Sequence, residues 1–178
     1  MRIALLGFGL EARSAYDFLR KKYPAATFDI YDQNQASKVK TPYGAEVFLG
    51  VSDFSSIEAD LLIRTPAVNP KELPIGANIS SVTNLFFAKC RAPIIGVTGS
   101  KGKGTTASFI AEILRAANIQ THLVGNIGIP ALDKIDEIDE SLVVVYELSS
   151  FQLWDLVFAP KVAVITNIEP DHLDVHDD

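Results

Sequence analysis

Short apolar runs alternate along this chain with stretches of helical period, and that alternation sets its plan. Residues 3–6 (IALL) read as a buried strand; after the turn GFGLEA, Ala12, Ala15, Tyr16 and Leu19 fall at i, i+3, i+4 and i+7, the stripe of an amphipathic helix. A second strand is expected at 28–31. Shorter ones at 47–49 and 61–63 alternate with polar or proline-bearing loops, RTPAVNP at 64–70 and ELPIGAN at 72–78. The segment 84–93, NLFFAKCRAP, is expected to carry the chain out of this first sheet, with a boundary near residue 92. The alternation then restarts with a strand at 94–97 and a helix over 103–117, whose Ala107, Ile110, Ile113, Leu114 and Ala117 form the core face. Strands at 121–124, 142–147 and 162–166 complete the second unit, and the acid-rich stretch DKIDEIDES at 133–141 is expected to be a solvated helix or loop.

Two strand-to-helix turns carry candidate chemistry. In the first, Gly7, Gly9 and Ala12 fit the G-x-G-x-x-A form of the dinucleotide fingerprint, and Asp32 closes the second strand about 20 residues later, where a ribose-binding acid belongs. In the second, IIGVTGSKGKGTT at 94–106 sets Lys103 in a glycine-rich turn between a buried strand and a helix, an arrangement that offers backbone amides and an ammonium to phosphate oxygens. Gly99, Ser100, Lys101, Gly102, Lys103, Gly104, Thr105 and Thr106 form the candidate ATP-binding loop. Gly104 stands where the strict phosphate-loop signature has Ser or Thr, so Thr105 is the first choice for a magnesium hydroxyl and Thr106 the second. The fold class is therefore α/β: a Rossmann-like N-terminal domain over 1–92, followed by a truncated P-loop ATPase-type parallel-sheet domain over 93–178. An oxidoreductase would use the first turn and leave the lysine loop without a task.

Composition narrows the class. A net charge of -6 without a basic cluster argues against nucleic acid, and 48% hydrophobic residues suffice to build cores. The N-terminus is too short and glycine-broken for a signal or spanning helix, so no membrane role is expected. The single cysteine, Cys90, cannot form an internal disulfide and reads as a buried structural thiol, which suits a reducing cytoplasm. Polar groups at strand ends complete the candidates: Glu147 follows the apolar 143–145, and Asn167, Asp171 and His172 follow 162–166. If both strands neighbour the one at 94–97, then Lys103, Glu147 and His172 converge on one crevice, where a carboxylate and an imidazole beside triphosphate can hold a divalent metal. His122 and His176 are expected to be surface residues.

TGSKGKGTT at 98–106, VGNIG at 124–128, YELSSFQL at 146–153 and TNIEPDHLD at 166–174, in this order and spacing, resemble the motifs of the Mur ligases of peptidoglycan synthesis. The resemblance covers the whole chain. It implies a three-domain ATP-dependent amide-forming enzyme, cytoplasmic and monomeric, that uses Mg2+. The N-terminal domain would bind the UDP of a precursor, the central domain ATP, and the C-terminal domain the incoming amino acid. The chain would span the first domain and part of the second and would not turn over alone. YELSSFQL with the GFGLE opening implies UDP-N-acetylmuramoyl-L-alanine and D-glutamate as substrates. Lys103 would stabilise the transferred charge, Thr105 and Glu147 would hold magnesium, and His172 would serve a second metal or the substrate side. Leu10, Glu11, Asp32, Gln33, Thr65 and Ala67 would meet the UDP, and Asn126 and Gln152 would approach the precursor. Glu11 stands where relatives often carry a small hydroxyl residue, and so sets an anion beside the expected diphosphate. The GKG triplet at 102–104 also resembles the folylpolyglutamate synthases, and a noncatalytic nucleotide-binding module is the remaining alternative.

Overall fold

A computed structural model describes residues 1–36, 40–127, 129–173 and 175–176. Gly128 and Asp174, each at the end of a motif, lie outside the described residues. The first sheet is parallel and five-stranded, with β1 (Arg2–Leu6) at its centre, β2 (Thr27–Asp32) and β3 (Ala45–Leu49) on one side, and β4 (Leu61–Arg64) and β5 (Ile79–Ser81) on the other. The second is parallel and four-stranded, in the order β7 (Thr121–Gly125), β8 (Val143–Glu147), β6 (Ile94–Thr98), β9 (Val162–Ile165). The helices are α1 (Leu10–Lys22), α2 (Val82–Lys89), α3 (Lys103–Ala116) and the four-residue α4 (Ser150–Leu153). The α/β reading therefore holds, and chain reversal on either side of β1 puts a switch point between β1 and β4, where such sheets bind ligands beyond their carboxyl ends.

Three elements differ from expectation. The segment after residue 78 adds β5 to the sheet and then forms α2, which starts at Ser81, whose hydroxyl accepts a hydrogen bond from the Asn84 amide at 3.1 Å. Helix α2 buries Val82, Thr83, Asn84, Phe86 and Phe87, and the Phe86 and Phe87 rings lie 5.2 and 5.5 Å from Tyr146 of β8. The acidic stretch is partly anchored: a 3-10 helix spans Ala131–Glu137, and Ala131, Leu132 and Ile138 are buried between the sheets while the acids face out. On α3 only Ala107 and Ala111 are buried, so small side chains let this helix lie close on Val97 and Val145, whereas Ile113 and Ala117 are exposed.

One hydrophobic cluster joins the two sheets. It combines Ile3, Leu5, Ala12, Leu19 and Phe86 with Val124, Leu132, Val144, Tyr146 and Leu148. The opposite face of the first sheet packs separately, with Leu6 and Leu62 against Phe54, Ile57 and Leu73. Cys90 is half-buried, its thiol donates to the Ala92 carbonyl, and burial pushes its pKa up, as suits an inert side chain.

An ion pair with a fully buried arginine and a part-exposed aspartate crosses between the sheets. Arg64, at the end of β4, has no solvent exposure; its Nε donates to Asp155 Oδ2 at 2.8 Å and its Nη2 to Asp155 Oδ1. Nη2 also reaches the Phe151 carbonyl at 3.0 Å, and Nη1 reaches the carbonyls of Thr65 and Val68, each at 3.3 Å. Asn84 reinforces the link by donating to the Asp155 carbonyl at 2.8 Å and accepting from the Val157 amide at 3.0 Å. Removing Asp155 would strand the fully buried Arg64 charge in a dry site. Asp155→Ala is therefore expected to lower stability by about 3–5 kcal/mol, read from the urea midpoint at unchanged slope; a loss below about 1 kcal/mol would mean the pair does not hold the sheets together.

Candidate functional site

The first sheet presents its candidates where β1, β2 and β4 end. Gly7 turns the chain at φ +85, and a β-carbon there would lie 2.1 Å from Thr65 Oγ1, so only glycine fits between β1 and the loop after β4. Thr65 donates through Oγ1 to the Leu6 carbonyl at 2.9 Å, which fixes that loop against the turn. Asp32 is committed to local structure: Oδ2 accepts from the Phe8 amide, and Oδ1 from the amide and side chain of Asn34, both at 2.7 Å. Gln33 is exposed and donates to Glu72 at 3.1 Å, Leu10 and Ala67 are exposed, and Glu11 sits in the first turn of α1.

The second sheet places β8 and β9 on either side of β6, so the groups beyond all three strands share one edge. The loop after β6 is laced to the segment after β9. The Ser100 amide donates to the Asn167 carbonyl at 3.1 Å, the Lys101 amide to Asn167 Oδ1 at 2.9 Å, and the Ser100 hydroxyl to the Glu169 carbonyl at 2.8 Å. Lys101 Nζ pairs with Glu169 at 2.8 Å on the surface. Gly99, at φ +134, would bring a β-carbon to 2.2 Å from Thr166 Oγ1, so glycine is required where the loop meets this segment. Lys103 curls back and donates to the carbonyls of Gly99 at 2.7 Å and Ser100 at 3.1 Å.

A crevice of about 940 Å³ opens over this edge, and Ser100, Lys103, Asn126, Phe151, Asn167 and His172 are among its walls. Glu147 lies buried behind it, and burial raises its carboxyl pKa against the opposing pull of the Lys103 charge and an Asn126 hydrogen bond. A buried acid with incomplete compensation beside a lysine fits a divalent cation, since magnesium commonly takes one or two carboxylates together with phosphate oxygens and water. Thr105 is exposed and lines a second, shallower pocket with Gly102, Gly104, Phe109 and Ile127, while Thr106 is half-buried. The His172 ring lies 4.8 Å from that of Phe151, and its Nε2 is 3.9 Å from Asp171 Oδ1. Among the described residues no three His, Cys, Asp or Glu side chains gather as a metal cage.

Between the two edges runs a seam that the sequence reading did not foresee. Ser149 and Gln152 form a capping box at the start of α4: the Gln152 amide donates to Ser149 Oγ at 3.3 Å, and Gln152 Oε1 accepts from the Ser149 amide at 2.9 Å. Gln152 is buried, and its Nε2 donates to Glu11 Oε1 at 3.1 Å, so its polar atoms face Glu11 and its own helix cap. Burial pushes the Glu11 carboxyl up to about 7, against the pull of the Gln152 hydrogen bond and the Arg64 charge. His176 is a structural partner and not a free surface residue: its Nδ1 accepts from Trp154 Nε1 at 3.2 Å, its Nε2 lies 2.9 Å from Ser150 Oγ, and its ring stacks on Phe151. The Ser-x-x-Gln spacing could have revealed the cap; Arg64 and Asp155, which are 91 positions apart, carry no comparable local signal.

Comparison with known proteins agrees with this geometry. Residues 97–178 match the family described as Mur ligase middle domain. The chain is 50% identical over 124 residues to the UDP-N-acetylmuramoylalanine–D-glutamate ligase of Symbiobacterium thermophilum, covering 66% of this chain and 27% of that protein. It is 37% identical over a 190-residue alignment to the ligase of the same name from Acetivibrio thermocellus, covering 98% of this chain and 40% of that protein. For the Clostridium botulinum ligase the identity is 33%, with 99% of this chain and 41% of that protein covered. The chain thus spans about two fifths of the length of the latter two relatives. With a phosphate-type loop, a buried acid behind it and these sequence matches in agreement, the chain belongs to the Mur ligase family.

Proposed function

We propose that this chain carries the precursor-binding unit, residues 1–92, and part of the ATP-binding unit, residues 93–178, of a cytoplasmic, monomeric ligase that joins D-glutamate to UDP-N-acetylmuramoyl-L-alanine. The observation that carries this reading is the placement of β8 and β9 on either side of β6, which sets Glu147, Asn167 and His172 on the same edge as the Lys103 loop. The names of the relatives supply the substrates. Among the described residues no helix is long and apolar enough to cross a membrane.

A carboxylate is a poor electrophile until one of its oxygens becomes part of a leaving group. In the proposed reaction the precursor's carboxylate oxygen takes the γ-phosphoryl of ATP and ADP leaves. The amine of D-glutamate then adds to the acyl carbon, and the tetrahedral adduct expels phosphate as the amine loses its proton, which leaves the amide. Such transfer depends on positioning and charge neutralisation. Lys103 would exchange its loop carbonyls for phosphate oxygens, and the amides of 102–104, which Asn167 does not engage, would face the same anion. Glu147 would hold Mg2+, which when bound neutralises phosphate charge, and Thr105 would supply a hydroxyl from the start of α3. His172 and Asn126 stand on the substrate side of the crevice. Leu10, Gln33 and the loop from Thr65 to Ala67 would frame the uridine diphosphate beyond β1, β2 and β4.

The test is phosphate release by the full-length gene product given ATP, Mg2+, UDP-N-acetylmuramoyl-L-alanine and D-glutamate, with L-glutamate and folate as control substrates. Release only with folate would replace this reading by a folylpolyglutamate synthase. Lys103→Ala is expected to lower kcat by about 10²–10³. Glu147→Gln is expected to raise the Mg2+ concentration needed for half-maximal rate by at least tenfold, and an unchanged requirement would remove the acid from the metal's coordination.

A further inference from the structure

Glu11 is the residue this reading leaves least explained. It belongs to the turn that would meet the diphosphate, yet its carboxyl points away across the seam. Oε1 accepts from Gln152, while Oε2 has no solvent contact and no hydrogen-bond partner. Gln152 in turn fixes the Ser149 amide, two residues after Glu147. A single chain of hydrogen bonds therefore runs from the first turn of α1 to the cap that follows the buried acid of the phosphate crevice.

We propose that Glu11 is a positioning residue: by clasping Gln152 it sets the α4 cap, and with it the segment bearing Glu147, in register with the precursor-binding turn, and the clasp responds to the charge on its carboxyl. The functional meaning rests on the ligase reading above; the clasp itself does not.

The surroundings favour a neutral clasp near neutral pH. Glu11 is faced by the Arg64 guanidinium from β4, by the Tyr146 phenol from β8 and by the uncharged Gln152 from α4. The guanidinium is already engaged by Asp155, and the Tyr146 phenol, itself raised by burial and hydrogen-bonded to Thr83, stays neutral. Burial thus dominates, and the carboxyl keeps its proton up to about pH 7. An acid that binds its proton more tightly folded than unfolded stabilises the fold fully below its unfolded pKa of about 4.3, and this contribution is lost as pH rises through the folded value. Deprotonation would then set a second, poorly solvated anion behind the cap, on the side of Glu147, which costs stability while it tightens the bond from Gln152.

The experiment follows the 178-residue chain by NMR from pH 5 to 9 without nucleotide or precursor, so its outcome is independent of the ligase reading. The Glu11 side-chain carboxyl carbon, the Gln152 side-chain amide and the Ser149 backbone amide are expected to shift together with one midpoint near 7. In Glu11→Gln, which keeps the acceptor and removes the charge, the Ser149 and Gln152 shifts should lose that midpoint. In His176→Gln they should keep it, which separates the clasp from the imidazole beside Ser150. Relative to Glu11→Gln, the wild-type urea midpoint should fall as pH rises from 5 to 8. A Glu11 midpoint near the ordinary 4.3, a Ser149 transition that survives Glu11→Gln, or one abolished by His176→Gln would each overturn the proposal. Should Glu11→Gln fail to fold, the wild-type carboxyl and amide midpoints still decide it: a shared value supports the clasp and separate values refute it.

Discussion

A guanidinium sealed from water must have its donors answered, and Arg64 finds an acceptor for each of its five N–H groups. Two go to Asp155, one to the Phe151 carbonyl, and two to the carbonyls of Thr65 and Val68. One side chain thus fixes the loop that follows β4 and the segment that follows Glu147. The hydrophobic cluster shared by the sheets gives their contact its area, but area is non-directional. The forked hydrogen-bond geometry sets the register in which the two carboxyl edges face each other.

The crevice beyond β6 has a comparable internal logic. Because β6 lies between β8 and β9, the backbone beyond each strand is free to pair with its neighbours: the Asn126 amide donates to the Glu147 carbonyl at 3.0 Å, and the Leu148 amide to the Val97 carbonyl at 2.8 Å. Those bonds, with the lacing of Ser100 and Lys101 to Asn167 and Glu169, fix the path of the loop beside the crevice. The loop backbone is thus fixed by its own contacts, while Lys103 keeps its partners within the loop.

Much of the fold was legible because most of its strands and both of its long helices obey simple periods. The strands at β1, β6 and β8 are nearly continuous apolar runs, and α1 carries its stripe at Ala12, Ala15, Tyr16 and Leu19. Helix α2 was not legible, since it is buried on several sides and so has no polar face to give it a period. Helix α3 was recognised and most of its core face with it: Ala107, Ile110 and Leu114 pack on the core, but close packing selected Ala111 and left the larger Ile113 outside. At the site, the glycine-lysine loop and the strand-end acid announce themselves locally. The contacts that tie the two sheets together near them, Arg64 with Asp155 and Glu11 with Gln152, are joined only by the fold.

The folded-back posture of Lys103 has a consequence for affinity. Its ammonium already has two peptide oxygens as neighbours, so an arriving anion competes with them for the same protons. The free-energy gain is then the difference between a dipole and a full charge as acceptor, which grows steeply with the charge of the newcomer. A loop of this kind responds weakly to neutral ligands and strongly to polyanions, and it reaches that discrimination through competition inside its own backbone.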